Sequence, residues 1–584
     1  MRRDPRLIAV PVVLAIVATT WIAAATLPSP KGAVATRSSV VAVRQATLVC
    51  PQAGGPTASG GLTQIAYADS RVVEGGPASS SLTPAALSSA PVSSSPATRS
   101  ASVPSASASS TSASSASASK AAVGVAPVKS ASATSAPASS ALVSSAPASP
   151  APATSSAPAV ANSDGSVLTA GVLGPQYAPE PITLQPGHAW TVHGPTEQTA
   201  IELGVSGPIA QSLGAVQFTR TVVGSVPQLA LAPCEGPTTD AWFAGFSSQA
   251  GTHATLYLSN VDLVPATLDV SVWGNLGGAV DTKRGIRVDP QTQVTISLDE
   301  FAPGLTAGVA HILASSGRVV PAVRYEAANG SIPVGTDWLP RTAAPATTQT
   351  VPGLVAGDGT RQIVVADPGP LDASFSVTVI TIDGSFTPTD FAAQTVQSGG
   401  VTEINVDPVL QQAAAAIVIN STEPVVAGGI STLPLDPTGA TDVAFTAAVP
   451  PLSGSVVVPG GEVSDTQHTV LLLTAPDGDA QLTVTVLPTA PLDPSLPTPA
   501  PSTFPMTIAD SMTSSVDLTD LTSDPAPAVV ITPGSGGAVY AAWVVQEDGP
   551  STDVTGDVSE IALSAPVRAL VRPTVMFDPA VGVR

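Results

Sequence analysis

Positive charge, aromatic rings and cysteine are all scarce in this chain. Lys and Arg number 21 against 42 Asp and Glu in 584 residues, a net charge of −21. So acidic a protein repels a phosphate backbone, and nucleic acid is excluded from the expected partners. Charged residues of both signs make up only 11% and aromatics 4%, whereas Pro (59) and Gly (49) are frequent. Helical bundles want more Leu, Glu and Lys, so this mixture points to turn-rich all-β domains. Catalytic signatures are missing as well. There is no H-E-x-x-H, no G-x-S-x-G and no Walker or dinucleotide glycine loop, so the chemistries those motifs carry have no foothold. The sole S-x-x-K, Ser117 to Lys120, lies in a low-complexity tract that cannot preorganise an acyl-transfer site. Histidine occurs five times, at 188, 193, 253, 311 and 468. His188 and His193, five apart, fall on opposite faces of a strand and cannot share a metal. No catalytic residue, metal or cofactor is expected.

What the chain does have is a repeat. The stretch 255–274, TLYLSNVDLVPATLDVSVWG, returns twice: adding 107 to Ala266 and Val270 gives Ala373 and Val377, and adding 107 again gives Ala480 and Val484. Each copy reads as an alternating apolar strand, a polar turn and a second strand, which predicts a hairpin opening each unit. Further strands follow in step. VTISLD, TEINVD and SSVDLTD each end on Asp, AHILASS, AIVINST and AVVITPG come next, and VPG recurs at 351–353 and 458–460. Seven or eight strands per repeat fit tandem immunoglobulin-like β-sandwich modules. The alternative is a β-propeller with two blades per repeat, closed by ATLVCP pairing near ALVRPTV. DAWFAGF, 240–246, is the densest aromatic cluster and reads as a core strand. Asp477, Gly478 and Asp479 lack the rest of a calcium loop and read as a hairpin turn.

The N-terminal region sets the compartment. Three arginines in 1–6 precede an uncharged apolar run at 7–27, long enough at 1.5 Å per residue to cross one bilayer core. The expectation is a single-pass anchor with the body outside the cytoplasm; cleavage as a signal peptide after Ala23-x-Ala25 is the alternative. In an oxidising exterior the two cysteines, Cys50 and Cys234, each beside a proline at the end of an apolar run, are expected to form a disulfide. Residues 78–162 are Ser, Ala and Pro-rich and lack the apolar surface to offset ordering entropy, so they are expected to be a disordered insertion. The predicted order is a membrane-proximal segment with a first strand (28–77), this insertion, an N-terminal β domain (163–240) and repeats at 241–350, 351–457 and 458–584.

Several motifs together resemble a known family. These are the N-terminal apolar helix, LVCP, a second cysteine followed by WF-x-G, the LYLSN to DVSVWG stretch, RGI-x-V-x-P, DWLP, and VPG with VVADPG. They are similar to an actinobacterial membrane-anchored cell-envelope family of unknown function, domain-of-unknown-function family 5719, over about residues 1–60 and 160–584. The resemblance implies no catalytic residues; its members are often encoded beside a large envelope glycosyltransferase. The expected function is therefore a non-catalytic, membrane-anchored extracytoplasmic scaffold or accessory factor in envelope glycan assembly. Its partners would be the membrane, through the N-terminal helix, and envelope proteins or glycans. The alternative is a glycan-binding or adhesive surface module, which requires exposed Trp242, Trp273 and Trp338 lining a groove.

Overall fold

Alternation of apolar and polar side chains produces strands along nearly the whole body, and the positions of turns sort them into sheets. The computed structural model describes residues 39–52, 62–70, 165–175, 177, 179–182, 187–193, 200–223, 226–275, 281–435, 439–462, 466–491, 499–548, 555–566 and 569–572. These fall in one compact unit. The predicted membrane helix at 7–27 and most of 28–77 lie outside the described residues, as does the insertion at 78–162. Among the described residues no helix is long and apolar enough to cross a membrane.

After β1 (Ser39–Ala42), the first module holds β2 (Gln45–Cys50), β3 (Leu62–Asp69), β4 (Val167–Val172), β5 (Glu180–Ile182), β6 (Ala189–His193), β7 (Ile201–Ser206), β8 (Leu213–Val223) and β9 (Val226–Pro233). The second holds β10 (Asp240–Phe246), β11 (Thr252–Asn260), β12 (Ala266–Gly274), β13 (Asp281–Val288), β14 (Thr292–Ser297), β15 (Gly308–Ser316), β16 (Val320–Asn329) and β17 (Ile332–Leu339). The third holds β18 (Ala346–Leu354), β19 (Thr360–Ala366), β20 (Ala373–Thr381), β21 (Gly384–Phe386), β22 (Gln394–Val396), β23 (Val401–Asn405), β24 (Ala415–Pro434) and β25 (Thr441–Ala447). The fourth holds β26 (Val456–Pro459), β27 (Gln467–Ala475), β28 (Ala480–Leu487), β29 (Ser502–Ile508), β30 (Met512–Asp517), β31 (Ala528–Gly536), β32 (Tyr540–Asp548) and β33 (Thr555–Leu563). Finally β34 (Ala569–Arg572) pairs antiparallel with β1.

All four modules share one topology. With the strands lettered a to h in chain order, one sheet reads a-f-c-d and the other e-b-g-h. In the third module strand d is split into β21 and β22, and the 20-residue β24 serves as both f and g, pairing with both sheets. The N-terminal β domain is thus a fourth copy of the repeat, and residues 71–164 join its b and c strands. The two sheets of a module pack face to face on a shared apolar core; in the second module Leu256, Leu258 and Val323 of one sheet meet Leu268, Val270 and Ile312 of the other. These are β-sandwiches. The propeller alternative fails on topology, because each sheet draws its strands from across the module, whereas a blade is a run of consecutive strands. ATLVC, moreover, pairs with β7, and it is the preceding SVVA of β1 that meets ALVR of β34.

The opening hairpin is also corrected. β11 and β12 do not pair with each other: β11 lies between β14 and β16, and β12 between β13 and β15. The connection is an arch that crosses from one sheet to the other, a gap of about 10 Å between packed sheets. Buried Asn260 starts it, accepting from the Asp262 N–H at 2.9 Å and donating to Val264 O at 2.8 Å and Val288 O at 3.1 Å. Asp367, 107 residues on, accepts from the Gly369 N–H at 2.7 Å in the same way. Side-chain capping of the backbone two residues ahead turns the chain out of its sheet where a two-residue hairpin turn would have kept it in. Strand c then shows the expected inward alternation, buried at every second position in β12, β20 and β28.

The modules meet in a series that closes on itself. The first packs Ala230 and Ala232 on Tyr257 and Trp338 of the second. The second packs Trp242 and Trp273 on Val364 and Val426 of the third. The third sets Val355 and Ala444 against Leu472 and Ala542 of the fourth, which covers Val216 and Phe218 of the first with Val456 and Val458.

Candidate functional site

The last strand of each module, β9, β17, β25 and β33, is an edge of its sheet, paired on one side only. An edge presents free N–H and C=O groups that must be answered if they are buried. Here the four edges pack against one another where all four modules converge, β17 against β9 and β25, and β33 against β9 and β25. Glycine permits the closest approach: a Cβ on Gly335 of β17 would stand 2.6 Å from the Val443 nitrogen of β25.

Buried carboxyls answer those edges. Asp337 of β17 accepts from Ser559 Oγ of β33 at 2.7 Å and from the Phe445 N–H of β25 at 3.2 Å. The Leu231 N–H of β9 donates to Ser559 Oγ at 2.9 Å and also faces Asp337, so one side chain engages all three other strands. Asp442 of β25 accepts from the Val558 N–H of β33 at 3.1 Å and the Thr336 N–H of β17 at 3.4 Å. Thr336 Oγ1 in turn donates to Gln228 Oε1 of β9 at 3.0 Å. β33 adds Asp557 and Glu560, and at the rim Arg220 of β8 holds Glu547 of β32 through Nε–Oε1 at 2.7 Å and Nη2–Oε2 at 3.0 Å.

Removal from water governs the acidity of this cluster. Burial holds Asp337 well above the carboxylate range, against the pull of Ser559 and three backbone N–H groups. Burial, then the neighbouring Asp557, does the same to Asp442, and burial with Asp337 nearby does it to Glu560. Burial, reinforced by Glu547 and opposed by Arg220, pushes Asp557 up to about 8. A carboxyl raised in this way keeps its proton further up the pH scale, Asp557 to about 8, and a protonated carboxyl can donate as well as accept.

Two cavities open elsewhere, and none of the four carboxyls lines either. One, about 30 Å³ and so room for a water or two, sits between the first two modules beside Trp338 and the Glu235–Arg341 ion pair. The other is a groove of about 400 Å³ walled by Tyr177, Glu202, Leu263 and Gln291. Two of its polar groups are engaged, Gln291 bonding Glu202 and Val261 O, and beside the groove Asp262 is paired with Arg318 at 2.8 and 2.9 Å.

The residues singled out from sequence are distributed as follows. Cys50 and Cys234 form a disulfide, Cα–Cα 4.1 Å, that ties the end of β2 in one sheet to the residue after β9 in the other. Beside it Val49 and Glu235 exchange backbone hydrogen bonds at 2.8 and 3.0 Å. Trp242, Trp273 and Trp338 are 6%, 8% and 4% exposed, so they do not form an exposed stacking platform. Trp242 and Trp273 lie 5.2 Å apart at the seam with the third module, and Trp338 lies 5.7 Å from Tyr257 at the seam with the first. Large rings go where they remove most apolar area from water, and module seams offer that as cores do. DAWFAGF is core strand β10, buried from Ala241 to Phe246. His311 stacks on Trp242 at 3.9 Å and bonds Asp240 at 3.0 Å; burial lowers its pKa against that carboxylate's pull. His188 is buried, with Nε2 3.1 Å from Pro499 O. Among the described residues no group of three or more His, Cys, Asp or Glu is placed to hold a metal. Asp479 accepts from the Asp510 N–H at 2.9 Å, and the Gly478 N–H donates to Asp510 at 2.6 Å, so DGD is an arch turn.

Sequence reasoning missed the acidic joint. Its one local signal is an acid set inside the final strand of a repeat, as in VGTDWL, TDVAF and GDVSEIAL.

A family model described as "Family of unknown function (DUF5719)" matches residues 195–495. No curated protein and no solved structure matches the chain.

Proposed function

The chain belongs to the DUF5719 family of unknown function, and we propose that it is a non-catalytic extracytoplasmic scaffold, anchored through 7–27 and accessory to envelope glycan assembly. One observation carries the scaffold part. Of the strongly perturbed acids at the convergence of the modules, Asp337 and Asp442 are spent on joining edge strands, and neither open cavity reaches any of the four. Catalytic acids and bases must reach a substrate atom within hydrogen-bond distance. The disulfide is compatible with an oxidising exterior. The envelope and glycan part rests on the family resemblance. Contact surface is available on the arches between strands b and c, where the copies differ most: Leu263 is 86% exposed and Leu371 60%. Crosslinking in intact cells followed by purification of the whole chain tests the reading. Enrichment of an envelope-assembly protein that is lost on changing Leu263 and Leu371 to Ser is the expected result. Recovery of nothing above a mock purification would overturn it.

A further inference from the structure

Two carboxyls of the joint are answered by nothing among the described residues. Asp557 and Glu560 of β33 are each 1% exposed, and none of their four oxygens has a hydrogen-bond partner there. Glu560 is packed closely against β18: a Cβ on Gly353 would stand 3.1 Å from its Oε2 and 2.6 Å from Ala542 Cβ. The charged groups around the pair are Asp337 from β17, Asp442 from β25, Glu547 from β32 and Arg220 from β8. Strands β9 and β18 contribute no charged residue. The lone guanidinium is already committed to Glu547 through two bonds.

We propose that this joint is held by protons: β33 stays seated between β9 and β25 while Asp557 and Glu560 carry protons, and it leaves when they ionise. An isolated carboxylate cannot be kept in an apolar interior without a cation or donors, so the strand must carry it out to water. The release is local. β33 is bonded as an edge strand to β32 alone, and its cross-module bonds run through Ser559 and the Val558 N–H to the acids Asp337 and Asp442. The direction with pH follows from the protons bound. Asp557 is raised by burial to about 8, and the other three acids stand well above their ordinary range, so the folded joint binds more protons than the unfolded chain. Its stability is full below the ordinary carboxylate range of about 4 and is lost as pH rises, for Asp557 through about 8. The inference goes beyond the scaffold reading and stands without it.

Hydrogen exchange on the whole chain tests it, with amides of β33 compared with those of β12 after correction for intrinsic rates. From pH 6 to pH 8.5 the protection of β33 is expected to fall by about tenfold or more, since one ionising group changes an opening constant up to tenfold per pH unit. Protection of β12 should stay nearly level, and the double variant Asp557→Asn, Glu560→Gln should flatten the response of β33. Equal responses of β33 and β12, or an unchanged response in the double variant, would overturn the proposal. The wild-type infrared spectrum gives a readout that does not depend on any variant folding. A protonated-carboxyl band must be present at pH 6 and fade at alkaline pH, and its absence at pH 6 would equally overturn it.

Discussion

Arg361 and the acid pair of β33 are both sealed from water, and they are treated in opposite ways. Arg361 donates from Nε to Val355 O at 2.9 Å, from Nη1 to Asp407 Oδ1 at 2.8 Å and from Nη2 to Gly357 O. Every partner lies within its own module, and the guanidinium pins the start of β19 to the end of β18 and to the helical turn at Asp407–Leu410. Asp557 and Glu560 lie between modules and have no such partners. A buried charge with every nitrogen bonded is a fixed part of one sandwich. A buried acid with none makes the contact between sandwiches conditional on a proton.

Four substitutions bear on that contrast. Arg361→Met should be the most damaging, at about 3–5 kcal/mol, because it strands Asp407 and two carbonyls together; a urea midpoint close to wild type would erase the contrast. Asp337→Ala should cost about 2–4 kcal/mol by leaving the Phe445 N–H and the Ser559 hydroxyl without their acceptor. Its loss should appear first in β25 and β33 by hydrogen exchange, and a loss spread evenly over the second module would contradict a role at the joint. Glu560→Leu should act in the other direction, stabilising by about 1–2 kcal/mol at pH 8, because an unpaired buried acid is exchanged for an apolar side chain. The gain should shrink at pH 5, where the acid is already neutral, and thermal melts at the two pH values would show whether it does. Leu263→Ser, at an exposed arch tip, should stay within about 0.5 kcal/mol in the same melts.

Much of the fold was legible because its signals are local. The 107-residue step from Ala266 to Ala373 to Ala480 marks the same inward position of strand c in three modules, 0% exposed in each. The two cysteines lie at matching strand ends, and the disulfide follows from that similarity. Other features were hidden for physical reasons. Two alternating strands joined by a short polar stretch read the same as a hairpin or as an arch; what separates them is Asn260 bonding both Val264 O and Val288 O, a contact 28 residues away. The first module escaped the repeat search because residues 71–164 intervene between its b and c strands. The alternative of an exposed platform at Trp242 and Trp338 stayed open in the sequence because a strand that faces another module has the same pattern as one that faces solvent. The acidic joint was the least legible, since Asp337 and Ser559 meet across 222 positions and neither has a local motif. Its acids break the apolar rule of a core strand, and that violation is the trace a sequence can carry of a site between modules.

A double-mutant cycle between Asp337 on β17 and Ser559 on β33 reaches the joint most directly, because the two side chains belong to different modules and touch only there. With Asp337→Ala, Ser559→Ala and the pair measured by denaturation at pH 6, the joined body predicts a coupling of about 1–2 kcal/mol. Effects that add to within about 0.3–0.5 kcal/mol would mean that the modules fold independently and that β9, β17, β25 and β33 form no common centre.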